Sequence, residues 1–184
     1  MTVQMIAAGH PLIVKKIVWQ DEAATQSFAQ GLARKPAIGR ALIELQGELG
    51  AGKTTFVRHL LKSMGVQGRI KSPTYAVVES YQLATPNLPG GHNPGQTPDL
   101  STDLSTDLSI WHFDFYRFND PDEWEEAGFR ELFASPGLKL VEWPDKAAGH
   151  LPHPDLVIAI DMLANESRSI TLKAYTATGL ELLA

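Results

Sequence analysis

Ala41-Leu42-Ile43-Glu44-Leu45-Gln46-Gly47-Glu48-Leu49-Gly50-Ala51-Gly52-Lys53-Thr54-Thr55-Phe56-Val57 places an apolar run, a glycine cluster and the opening of a helix in immediate succession. The segment Ala41 to Leu45 reads as a buried strand. Gly47 to Thr54 then matches the phosphate-loop pattern G-x-x-x-x-G-K-[ST]. Glycines let the backbone curl until successive amide N–H groups point inward, and a helix starting near Lys53 adds the positive end of its dipole. In such a loop Lys53 reaches the β- and γ-phosphates and Thr54 offers a hydroxyl to Mg²⁺. At average residue frequencies a chance match arises in under about 1% of chains this long. The strand before it and the helix after it are the context the motif requires. In that helix Phe56, Val57, Leu60, Leu61 and Met64 share one face, and Gly65 is a natural stop.

Upstream, Leu12 to Trp19 is rich in β-branched residues and predicts a strand. Asp21 then predicts the N-cap of a helix carrying Ala24, Phe28 and Leu32, broken at Lys35-Pro36. Downstream, strands are predicted at Tyr75 to Tyr81, Ile110 to Phe115 and Leu138 to Glu142, with one or two short helices over Pro121 to Phe133. Asp155 to Leu163 and Ser169 to Tyr175 suggest an antiparallel pair across Ala164-Asn165-Glu166. The order predicts an α/β fold of the P-loop NTPase-like kind, with a mixed sheet, parallel at the centre and antiparallel at the edges, and helices on both faces.

The 184 residues suit a single domain over 1–184, and 43% hydrophobic with 20% charged residues is ordinary globular usage. Within it, residues 85–109 carry four prolines, three glycines, no Lys or Arg, and an Asp-Leu-Ser-Thr repeat from Asp99. Sparse leucines at that period cannot offset ordering entropy, so the segment reads as a disordered insertion. It also holds three Asp, so much of the net charge of −5 belongs to it. The overall charge argues against a protein whose whole surface grips nucleic acid and leaves a local basic patch open, and the chain outside this segment is near neutral at −2. Without cysteine, disulfides and thiolate chemistry are excluded. No apolar run approaches a membrane span and no secretory signal pattern opens the chain, so a cytoplasmic protein without membrane attachment is expected.

A phosphate loop needs an acidic group on a neighbouring strand to hold metal or order water. Asp114 and Glu142 each end a β-like stretch and are the two candidates. Thr74, in Ser72-Pro73-Thr74, is placed to sense a γ-phosphate from a Pro-stiffened loop. Arg117 is a candidate internal arginine finger, His59 reads as solvated, and His150 with His153 reads as a surface loop. No Asn-Lys-x-Asp guanine selector is present, which favours adenine.

Gly47-Glu48-Leu49-Gly50-Ala51-Gly52-Lys53-Thr54-Thr55, Lys71-Ser72-Pro73-Thr74-Tyr75, His112-Phe113-Asp114-Phe115-Tyr116-Arg117 and Val141-Glu142-Trp143-Pro144, with Asp21-Glu22-Ala23-Ala24-Thr25 ahead of them, resemble the TsaE (YjeE) family in residues, order and spacing. The resemblance spans roughly residues 12 to 175, and the 85–109 segment departs from compact members. It implies a weak ATPase needed for N6-threonylcarbamoyladenosine on ANN-decoding tRNAs, acting with TsaD and TsaB as protein partners and touching tRNA only indirectly. It further implies that Leu49, Gly50, Ala51, Gly52, Lys53, Thr54 and Thr55 hold ATP, with Asp21, Glu22 and Arg168 near the nucleotide. Thr54 and Glu142 would hold Mg²⁺, with Asp114 either the alternative metal ligand or the other acid near the γ-phosphate or its water, and Thr74 and Trp143 would form nucleotide-dependent partner surfaces. The competing reading is a P-loop small-molecule or nucleotide kinase. Such kinases carry an arginine-bearing lid, and the insertion has no Lys or Arg.

Overall fold

Apolar residues on both faces of a strand require cover on both faces, and three strands here have that character. They are β2 (Leu42–Gln46), β5 (Leu138–Glu142) and β6 (Leu156–Met162), each buried along most of its length. The computed structural model describes residues 9–84, 107–118, 123–124 and 127–184. Its remaining strands are β1 (Ile13–Trp19), β3 (Val78–Leu83), β4 (Leu108–Asp114) and β7 (Arg168–Ala174). The helices are α1 (Glu22–Ala33), α2 (Lys53–Ser63), α3 (Phe129–Ala134) and α4 (Ala177–Leu183).

The seven strands form one sheet in the order β1-β7-β6-β2-β5-β4-β3. Pairs β6–β2, β2–β5 and β5–β4 are parallel, while β1–β7, β7–β6 and β4–β3 are antiparallel. The parallel centre with antiparallel edges is the architecture the element order predicts. One core lies between the sheet and α1 with α2, where Ile43, Leu45, Leu138, Leu140 and Ile158 meet Leu32, Phe56, Val57 and Leu60. Trp19 stacks on Phe56 at 5.8 Å and tilts against Phe28 at 5.4 Å, tying β1 to both helices. On the opposite face Phe113, Phe115, Phe118, Trp124 and Phe129 form an aromatic core behind the end of β4.

Local chemistry explains the helix starts. Asp21 is the N-cap of α1, its Oδ1 accepting from Ala24 N at 2.8 Å. Thr176 caps α4 by accepting from Gly179 N, a short helix with too little periodicity to be read from sequence. Several boundaries shift. β3 begins at Val78 rather than Tyr75, because residues 74–76 form a turn, and β4 begins at Leu108 rather than Ile110. Leu108 and Ser109, assigned to the insertion by composition, pair with Leu83 and Gln82. The rest of that segment, 85–106, lies outside the described residues, as does the start of the helical stretch predicted from Pro121.

Leu83 and Leu108 face each other across an antiparallel ladder, so a tight turn can join them directly. Deleting residues 85–106 and closing the gap with an Asn-Gly-containing turn is expected to leave folding and nucleotide affinity unchanged. Circular dichroism melts and a nucleotide titration of the shortened chain check this, and loss of folded protein refutes the hairpin closure.

Candidate functional site

The topology brings the chemistry to one sheet edge. β2, β5, β4 and β6 run parallel, so their C-terminal ends align, the edge where open α/β sheets place ligands. The glycine loop leaves β2 there, Glu142 ends β5 and Asp114 ends β4, with Asp114 and Glu142 paired in register. β1 ends at the same edge, and Trp19 pairs with Arg168, the first residue of antiparallel β7. β3 starts there, which delivers the segment 72–77.

Glycine is required in the loop itself. Gly47 has φ of 142°, and a Cβ on it would lie 2.4 Å from the Ile160 carbonyl oxygen. Gly52, the N-cap of α2, has φ of 113° and no capping side chain, so the first-turn amides of an 11-residue helix stay available. Lys53 follows, 4% exposed, with Nζ donating to Gly47 O at 2.6 Å and Glu48 O at 3.0 Å. Its ammonium also sits 3.8 Å from the Trp143 ring centre. Burial pushes the Lys53 pKa down, opposed by the charges of Glu142, Asp114, Glu48 and Asp145.

Beside it, the Thr54 hydroxyl lies 2.9 Å from both Glu142 oxygens, and Glu142 is 2% exposed. His112 Nε2 bonds Glu142 Oε1 at 2.8 Å. Asp114 gathers the neighbouring loop. Ser72 Oγ and Thr74 Oγ1 both donate to Asp114 Oδ2, the latter at 2.7 Å, and Oδ1 accepts from Tyr116 N at 3.0 Å. Val77 latches this loop to β4, accepting from Asp114 N at 2.9 Å while its own N–H donates to Pro73 O at 2.6 Å. It does so at φ of 66°, a strained conformation for a β-branched residue. Trp143 is left-handed too, at φ of 58°, although Pro144 follows it. Trp143 lines the cleft itself, and Val77 holds the backbone of Asp114, which also lines it.

Two clefts flank the loop and share Gly50, Gly52 and Thr55. One, of about 250 Å³, is lined by Leu49, Lys53, Thr54, Thr74, Asp114, Glu142 and Trp143 among others. The other, of about 230 Å³, is lined by Asp21, Glu22, Ala51 and Arg168, with Trp19 and Thr25. The residues singled out from sequence therefore meet in two adjoining spaces. Arg168 Nε approaches Ala51 O at 3.3 Å. Arg117 lies apart, stacked on exposed Tyr75 with its guanidinium 4.2 Å from the ring centre. His59 is not solvated as read: its side chain is 15% exposed and Nε2 lies 2.9 Å from Glu22 Oε1. Sequence reasoning missed Ser72 and His112 as site residues. The paired hydroxyls around Pro73 were a usable signal for Ser72, whereas His112 needed the β4–β5 register.

The oxygen donors suit a hard divalent cation. Among the described residues no three His, Cys, Asp or Glu side chains cluster to hold a metal alone. Mg²⁺ in nucleotide sites takes one or two protein ligands and completes its shell with phosphate and water, which a Thr hydroxyl beside one carboxylate fits.

A mixed sheet with a glycine loop between a central parallel strand and a helix, and acids ending the adjacent strands, defines an α/β protein of the P-loop NTPase-like class. Residues 19–170 match the family described as threonylcarbamoyl adenosine biosynthesis protein TsaE, and the chain belongs to that family. Its family role is in tRNA threonylcarbamoyladenosine biosynthesis. The chain is 36% identical over 154 residues to the Haemophilus influenzae tRNA threonylcarbamoyladenosine biosynthesis protein TsaE, covering 84% of this chain and 83% of the relative. It is 32% identical over 168 residues to the Bacillus subtilis protein of the same name, covering 90% and 89%. The crystal structure of Bacillus subtilis YdiB superposes with a TM-score of 0.61 at 25% identity, covering 93% of each chain. No helix among the described residues is long and apolar enough to cross a membrane.

Proposed function

We propose that this protein binds ATP with Mg²⁺ at the glycine-loop edge, hydrolyses it slowly, and uses the nucleotide state to engage TsaD and TsaB during threonylcarbamoyladenosine formation on ANN-decoding tRNA. The observation that carries this reading is the Thr54–Glu142 pair at 2.9 Å beside a buried lysine and the open start of α2. Amides of Gly52 to Thr55 bind the phosphates, and Lys53 exchanges the Gly47 and Glu48 carbonyls for phosphate oxygens. Bound Mg²⁺ supplies charge neutralisation on those oxygens. Asp114 holds Ser72 and Thr74 in register and orients the attacking water, so Thr74 and Trp143 change surroundings as the site fills.

Slow turnover has a structural reason. An arginine compensating the transition-state charge contributes roughly 10³–10⁵ in rate. Among the described residues, no arginine lines the cleft that holds Lys53, Asp114 and Glu142; Arg168 lies in the adjoining cleft, bonded to Ala51 O, and Arg117 is stacked on Tyr75. The partner complex is the source of that charge or of its placement. tRNA is reached only through the partners, in the cytoplasm. Capture of TsaD and TsaB by the immobilised chain is expected to be strong with ATP and weak with ADP or no nucleotide. Equal capture in all three conditions overturns the switch.

A further inference from the structure

His112 is an expensive choice for its position. It lies on the α2 face of β4 between Ile110 and Asp114, opposite Leu140 of β5, and is fully buried. Ile110, Leu138 and Leu140 around it are fully buried as well. Its Nδ1 has no hydrogen-bond partner among the described residues, and a buried unsatisfied polar atom is costly to the fold. A leucine or phenylalanine would fill this core without that loss. The imidazole's one hydrogen bond runs from Nε2 to Glu142 Oε1 at 2.8 Å. An ionised carboxylate only accepts, so the proton of that bond belongs to Nε2.

The bond fixes which oxygen is which. Oε1 takes both His112 and Thr54, while Oε2 takes only Thr54 among the described residues, at 2.9 Å. Without His112 the carboxylate can rotate about its terminal bond and exchange its oxygens, since Thr54 sits equally far from both. We propose that His112 is a positioning residue that locks the Glu142 carboxylate against Thr54 and presents Oε2, bonded only by Thr54, to the divalent cation that accompanies nucleotide. This rests on the reading of Glu142 as a ligand of Mg²⁺-nucleotide. Groups that orient a metal ligand through its outer hydrogen bond contribute about 10–100-fold in metal affinity.

The test follows binding rather than hydrolysis. A fluorescent ADP analogue is titrated into the full chain in EDTA and across a Mg²⁺ series. His112→Leu is expected to raise the Mg²⁺ concentration for half-maximal tightening by about tenfold or more, with affinity in EDTA unchanged. His112→Gln, whose amide can reach as far as Nε2, is expected to stay close to wild type. His112→Asn, whose amide falls short, should behave like leucine and serves in its place if the leucine variant does not fold. A wild-type Mg²⁺ response in the Leu and Asn variants, with that response lost in Glu142→Gln, overturns the role of His112 alone. A wild-type response in Glu142→Gln as well removes the reading of Glu142 and this inference together.

Discussion

Lys53→Ala is expected to abolish measurable ATP binding, and with it complementation of a strain lacking the protein, while the purified variant melts within a few degrees of wild type. The ammonium is held at the loop by two backbone carbonyls and the Trp143 ring face. Against those attractions stands the cost of burying a cation, visible in the lowered pKa. Opposed effects of this kind leave little net contribution to folding. Binding differs, because each charge-assisted hydrogen bond to phosphate contributes about 1.5–3 kcal/mol. Losing two such bonds weakens affinity by roughly 10²–10⁴. Calorimetric titration with ATP and a thermal melt of the same sample separate the two quantities. A folded variant that binds ATP normally would contradict the phosphate role of Lys53. Intact complementation with ATP binding lost would leave the protein a scaffold whose nucleotide site is idle.

The loop around Lys53 was legible because its information is local. Glycines at 47, 50 and 52 state a backbone path, and the apolar face of α2 repeats over three turns. Asp21 likewise announces α1 through a bond spanning three residues. Contacts set by the sheet were less accessible. His112 and Glu142 are 30 residues apart, and only the parallel β4–β5 ladder brings them together. Arg168 has no local sequence signal beyond the family resemblance, and the fold supplies the reason for its place: β1 and β7 pair so that Trp19 meets it at the cleft. Arg117, which sequence offered as a finger, packs on the Tyr75 ring because the turn that leaves β4 lies beside the turn that enters its antiparallel neighbour β3.

Glu44 carries a consequence for stability that strand periodicity could not show. It lies on β2 between Val141 of β5 and Val157 of β6, on the face away from α1 and α2, and is 9% exposed. Among the described residues no donor hydrogen-bonds its carboxyl. Burial, and secondarily repulsion from Asp145, push its pKa up from 4.5 to about 7. The folded chain therefore holds this proton more tightly than the unfolded chain. As pH rises from 4.5 the unfolded state ionises first and its free energy falls, and the loss of stability is complete only above about 7. A shift of that size corresponds to at most ~3 kcal/mol. Glu44→Gln keeps the shape and removes the charge. It is expected to match wild type near pH 4.5 and to be more stable at pH 8 by up to ~3 kcal/mol, or roughly 5–10 °C in melting temperature. Asp145→Asn should recover the smaller, coulombic part. Denaturation curves of the three proteins across pH 4.5 to 8 decide the matter, and wild-type and Glu44→Gln curves that stay parallel throughout would show that Glu44 is ionised at no cost in the folded chain. Nucleotide affinity is the control, because Glu44 faces away from α1 and α2 and lines neither of the clefts that hold Lys53, Thr54 and Glu142 or Arg168.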